Sequence, residues 1–223
     1  MGEVFPRIKP VGEFALLLEL GDAINHQINQ WILSLDHHLR HRRIAGVIEW
    51  IPAYSSILVL YDPAQTTGLE VRMWLEDCLN NQEKQTFAER RRIDISVKYG
   101  GEEGPDLDFV ADYHGLTTAQ VVEKHASQVY MVAMMGFTPG FAYLMGLGSD
   151  LATPRLVTPR TMVPAGSVGI AGQQTGIYPL DSPGGWQIIG KTEQSLFNPN
   201  HEPYFMLSPG DQVRFIPTEG GRV

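Results

Sequence analysis

Two Thr-Pro-Arg segments, Thr153-Pro154-Arg155 and Thr158-Pro159-Arg160, set two guanidiniums close together on a stiff stretch of chain. Proline fixes its own φ and pushes the preceding residue toward extended backbone, so the stretch reads as extended. A guanidinium binds a carboxylate or phosphate through two parallel hydrogen bonds. Arg155 and Arg160 are therefore candidates for an anion-binding edge, and as such for a catalytic role. The alternative is that each pairs with a nearby acid such as Asp150 or Asp181. Downstream, PAGSVGIAGQQTGIYP (residues 164–179) is dense in small residues and turn formers. Small residues let a ligand approach the backbone. Ser167, Gln173, Gln174 and Thr175 supply neutral donors and acceptors of the kind an amide or lactam needs. A tightly turned barrel corner would read the same way. GFTPGFAY (residues 136–143) brings Phe137, Phe141 and Tyr143 around a Pro-Gly turn, as a pocket wall or as core packing.

Other motifs carry less. GWQIIGKT (residues 185–192) matches the string of a phosphate-binding P-loop. A working loop needs small residues whose amides form an anion nest, followed by a helix. Trp186, Gln187, Ile188 and Ile189 favour an extended strand instead, and Pro199 cuts short any helix. The segment reads as a strand flanked by glycines. His125, at the end of a predicted helix, is a candidate catalytic group, against the commoner structural role of a lone histidine. His114 lies across a helix break from it and no Cys or His stands at ligand spacing, so no metal site is expected. His37, His38 and His41 with Arg40, Arg42 and Arg43 read as a solvated helix end. Ser167 sits in G-S-V-G rather than G-x-S-x-G, so no nucleophile elbow is present.

The elements that must position these residues fall into two parts. Of the 23 glycines, 5 lie in residues 1–99 and 18 after; of the 15 prolines, 4 lie before that point and 11 after. Gly and Pro punctuate turns, so short strands and tight turns are predicted for the second part and longer elements for the first. In the first part, residues 13–20, 44–50, 56–61 and 93–97 read as strands, and residues 22–39 and 67–84 as helices. That order, β-α-β-β-α-β, predicts a ferredoxin-like α+β domain over residues 1–98. Residues 106–113 and 117–127 read as helices and 129–134 as a strand. The Gly/Pro-rich remainder reads as a β-barrel or sandwich, giving a β-domain over residues 99–223. YGGEEGP (residues 99–105) is the candidate linker.

Composition excludes several classes. The chain has 223 residues, 43% hydrophobic and 19% charged, which suits a globular protein and not a disordered or coiled-coil one. A net charge of −8 argues against a nucleic-acid surface or an anionic membrane as partner. The single cysteine, Cys78, cannot form an internal disulfide and fits a reducing compartment. The opening MGEVFPRIKP lacks the apolar core of a signal peptide, and its Met-Gly start lacks the Ser or Thr of a myristoylation site. A cytoplasmic protein is expected.

Taken in order, GGEEGPDL, GFTPGFAYLMGL, the double T-P-R, PAGSVGIAG, QTGIYP and SPGGWQIIG resemble the allophanate hydrolase subunit 1 family, to which KipI-type proteins also belong. Two departures stand out: Ala142 replaces a common proline, and Lys191 completes a Walker-like string that the family does not use. The resemblance implies an N-terminal α+β domain and a C-terminal cyclophilin-like barrel. It implies a subunit of an ATP-dependent 5-oxoprolinase, inactive alone, that opens the lactam of 5-oxoproline to glutamate. Its implied partners are a second cyclophilin-like subunit and a LamB/YcsF-type subunit, and its cofactor is ATP with Mg, used by the complex. On this reading Arg155, Arg160 and His125 serve catalysis. Phe137, Phe141, Ser167, Gln174, Thr175, Tyr178, Gly184, Gly185 and Trp186 surround the substrate. The same resemblance leaves two alternatives: an inhibitor of a sporulation histidine kinase, and a subunit for urea or another amide.

Overall fold

In a computed structural model of the chain, described here for residues 4–81 and 90–218, two compact units form, Met1–Glu89 and Arg90–Val223. The Met-Gly start and the last part of the second predicted helix (residues 82–84) lie outside the described residues.

The first unit pairs a four-stranded antiparallel sheet with two helices. Its elements are β1 (Arg7–Pro10), β2 (Ala15–Glu19), α1 (His26–His41), β3 (Val47–Pro52), β4 (Ser56–Tyr61) and α2 (Gly68–Asn80). Asn25 caps α1 through its side-chain oxygen, and Thr67 with Glu70 forms a reciprocal capping box on α2. Helix spacing turns Ile32, Leu35 and Leu39 of α1 and Val71, Leu75 and Cys78 of α2 onto the sheet residues Leu16, Leu18, Ile57 and Val59. Burying each such side chain contributes about 1.5–3 kcal/mol. The sheet order is β1-β2-β4-β3.

That order corrects the expected β-α-β-β-α-β unit. The edge place beside β2 is filled by β1, not by the strand at residues 93–97. β5 (Arg92–Tyr99) belongs to the second unit, where it runs parallel to β13 (Gln212–Pro217) and antiparallel to β12 (Gln187–Lys191). Ile95, Val97 and Tyr99 alternate inward and are buried there, which gives β5 its place in the barrel core.

The second unit is a closed barrel in the order β10-β7-β6-β13-β5-β12-β9. Its further strands are β6 (Tyr130–Met135), β7 (Ala142–Met145), β9 (Ser167–Ala171) and β10 (Gln174–Ile177). α3 (Leu107–His114) and α4 (Thr118–Ser127) follow β5, and Thr117 with Gln120 forms a capping box on α4. A two-stranded ribbon of β8 (Arg160–Val163) and β11 (Ser182–Gly184) is added outside the barrel. Strand β12 carries most of the P-loop-like string, as the bulky residues predict.

Candidate functional site

The ribbon and the β6–β7 loop enclose a pocket of about 250 Å³. The loop turns tightly: Phe141 N–H donates to Thr138 O at 3.0 Å and Gly136 N–H to Phe141 O at 3.2 Å. It presents Phe137 and Phe141, while β7 adds Tyr143. Tyr178 follows β10, and Gly184, Gly185 and Trp186 follow one another at the end of the ribbon. The aromatic rings meet edge to face. Phe141 lies 5.5 Å from Trp186 and 5.2 Å from Tyr178, at interplanar angles of 84° and 86°. These rings belong to a second hydrophobic cluster, distinct from the barrel core, with Val163, Ala171 and Ile188. Gly184 is required by close approach: a Cβ there would run into the Tyr178 ring, with two ring carbons at 2.8 Å.

One cation faces this wall. Arg155 is exposed, its guanidinium lies 5.9 Å from the Trp186 ring centroid, and no acid among the described residues pairs with it. Burial raises the Tyr178 phenol above its ordinary range, opposed by the Trp186 backbone N–H and by Arg155. Burial likewise raises Tyr143, again opposed by Arg155. Both phenols stay protonated at neutral pH. The pocket therefore offers a positive charge, apolar ring faces and hydroxyl groups to a small anion with a flat body.

Arg160 does something else. It donates to Asp106 Oδ1 at 2.7 Å and to Trp186 O at 3.4 Å, while Asp106 Oδ2 accepts the Ile188 N–H at 2.6 Å. The alternative that an arginine pairs with a nearby acid thus holds for Arg160, but the acid is Asp106. Asp150 pairs with Lys124, and Asp181 accepts the Ala165 N–H. Arg160 braces the pocket wall from behind and is not placed to meet a ligand in the pocket.

His125 is fully buried in the barrel core. Thr175 Oγ1 gives its proton to Gly169 O at 2.9 Å, so it accepts from His125 Nε2–H at 2.9 Å. Nδ1 then accepts the Tyr99 O–H at 2.8 Å. The ring stacks on Phe215 at 4.5 Å, and burial depresses its pKa to about 3. Both nitrogens are occupied and solvent is excluded, so His125 has a structural role in place of the expected catalytic one. Ser167, Gln174 and Thr175 are buried in β9 and β10 and do not line the pocket. They are the barrel-corner alternative. Reasoning from sequence counted Tyr143 among the aromatics of a pocket wall or core but not among the residues around the substrate, and it missed Pro159 and Pro183 as lining residues and Asp106 as the brace. Pro159 stood in a quoted motif. Asp106 gave no local signal, because its partner is distant in sequence.

Fold and pocket together define an α+β protein with a closed β-barrel and a small aromatic-lined pocket. The chain belongs to the family described as carboxyltransferase domain, subdomain C and D, which matches residues 6–207. Among curated relatives, a protein of Bacillus subtilis (strain 168) named as a subunit of 5-oxoprolinase is 39% identical over 220 residues, 94% of this chain and 92% of the relative. The protein of the same name from Escherichia coli O157:H7 is 43% identical over 215 residues, 95% of each. The motif resemblance implied relatives of this kind. Among solved structures, TTHA0988 superposes with a TM-score of 0.82 at 36% identity, over 92% of this chain. This chain spans 40% of that one. PH0987 from Pyrococcus horikoshii is 45% identical, with 95% of this chain and 97% of that one covered, at a TM-score of 0.57.

Proposed function

We propose that this chain is a subunit of an ATP-dependent 5-oxoprolinase and that the Arg155 pocket binds the lactam. The observation that carries this is the 39–43% identity to the two 5-oxoprolinase subunits over nearly their whole length. The pocket's chemistry agrees with it. 5-Oxoproline is a small, flat five-membered lactam bearing one carboxylate. Arg155 holds the carboxylate, Phe141 and Trp186 cover the ring faces and exclude water, and the Tyr178 hydroxyl lies at the same wall.

A lactam resists hydrolysis because its amide is resonance-stabilised and ring closure is favoured; ATP supplies the activation of the carbonyl. The pocket does not fit that nucleotide. At about 250 Å³, with one unpaired cation, it is sized for the lactam and not for a triphosphate with its sugar and base. ATP and its Mg are therefore assigned elsewhere in a complex, with a second barrel subunit and a LamB/YcsF-type subunit as partners. On this reading the chain alone is inactive.

In a complex reconstituted from all subunits, Arg155→Ala raises KM for 5-oxoproline by about 10- to 100-fold, the equivalent of ~1.5–3 kcal/mol for hydrogen bonds to a charged group. Arg155→Lys recovers part of the loss, because it keeps the charge and loses the fork. An unchanged KM in Arg155→Ala removes this pocket from the substrate site.

A further inference from the structure

Beside the Arg155 pocket lies a second cavity of about 400 Å³. Its walls include Met135, Pro139, Phe205 and Leu207, with Ser208 at one side. Thr138 also lines it, and its hydroxyl oxygen is buried without a hydrogen-bond partner. Phe137 is common to both cavities. Its ring stands edge-on to Phe141 at 5.6 Å and to Tyr178 at 6.5 Å, while 60% of the residue remains exposed. Its backbone is unusual: φ is +72°, and no other non-glycine residue among those described has a positive φ. A bulky side chain in the left-handed region is strained and persists where its surroundings over-determine it. The tight loop hydrogen bonds and Gly140, whose φ is +87° and whose Cβ would crowd Phe197, supply that constraint. Packing alone does not explain the strain, since most of the residue is in solvent. The residue stands in the wall that the two cavities have in common.

We propose that Phe137 is a specificity-determining residue: its ring divides the Arg155 pocket from the larger cavity and so sets the size of carboxylate that the site admits. With the ring in place, the site takes a carboxylate on a single small ring. With it removed, the cavities join, and a carboxylate with a second apolar group extends past residue 137 toward Met135, Phe205 and Leu207. The inference rests on the Arg155 pocket being a carboxylate site, as proposed above, but not on the lactam being its ligand.

The test titrates the full chain with benzoate, biphenyl-4-carboxylate and 5-oxoproline, reading Trp fluorescence and calorimetry. The wild type is expected to bind benzoate better than biphenyl-4-carboxylate. Phe137→Ala raises affinity for biphenyl-4-carboxylate relative to benzoate about tenfold or more, as burial of a freed phenyl ring requires. Phe137→Leu restores much of the discrimination. Phe137→Gly, which holds a positive φ without strain, stands in if the alanine variant fails to fold. Adding Arg155→Ala to Phe137→Ala abolishes the gain. The proposal is overturned if biphenyl-4-carboxylate binds Phe137→Ala no better than wild type, if neither aromatic carboxylate binds either protein, or if the gain survives Arg155→Ala. A shift in the aromatic ratio with no binding of 5-oxoproline leaves the partition standing and counts against the 5-oxoprolinase reading instead.

Discussion

Phe137 and Arg155 show what single residues do here. At φ +72° a side chain with a Cβ pays for the left-handed conformation, whereas glycine does not. Phe137→Ala therefore destabilises the chain more than Phe137→Gly, by about 1 kcal/mol, reversing the usual rank of the two substitutions. Denaturant unfolding of both variants checks this; alanine equal to or better than glycine contradicts it. Arg155 and Arg160 sit in identical Thr-Pro-Arg contexts, and nothing local separates them. What separates them is Asp106, 54 residues from Arg160, which neutralises one guanidinium and leaves the other open. Sequence reasoning therefore named both residues and could not tell their surroundings apart. Phe137, Phe141, Tyr178, Gly184, Gly185 and Trp186, expected around the substrate, do line one pocket, where barrel closure and the β8–β11 ribbon bring them together.

The link from α3 through β8 to β12 is made by one carboxylate. Asp106, just before α3, holds Arg160 of β8 and the Ile188 N–H of β12, and Arg160 reaches the Trp186 carbonyl. Arg160→Ala leaves a largely buried acid short of a partner and costs about 1–3 kcal/mol. In a double-mutant cycle, adding Asp106→Ala costs less than the sum of the single changes, because the two residues share the interaction. Strict additivity would show that the pair does not brace the wall. Element types were largely legible: helical spacing and the bulky run through β12 each pointed to the local structure that forms. Strand partnership was not. β5 alternates as a strand of either unit would, and only its long-range pairing with β13 and β12 decides where it belongs. β1, short and ending in proline, carried too weak a strand signal to be found.

At the scale of the whole molecule, the closed barrel sets a pH dependence of stability. Its core holds a neutral His125, whose pKa burial lowers from 6.5 to about 3. The unfolded chain thus binds a proton that the native one does not between these values. Stability is complete above about pH 6.5 and falls as pH drops toward 3. Paired carboxylates such as Glu19, Asp94 and Glu193 are also held below their ordinary range, and their contribution is lost only at lower pH. His125→Gln should therefore flatten the pH 6.5–4.5 part of the stability curve measured by thermal unfolding, whatever it costs at neutral pH. An unchanged slope there would contradict a buried neutral histidine. The acidic chain, with a net charge of −8, supplies no broad attraction for an anion, so on the proposed reading recognition of the carboxylate falls to the local cation Arg155.

The measurement that bears most directly on the central claim is 5-oxoproline-dependent ATP hydrolysis with glutamate release. It is run with this chain alone, with its two proposed partner subunits, and with the partners alone. Activity in the full mixture only, lost when this chain is omitted, is the predicted result. A mixture that demonstrably assembles and yet releases no glutamate, or partners that are fully active without this chain, would contradict the assignment.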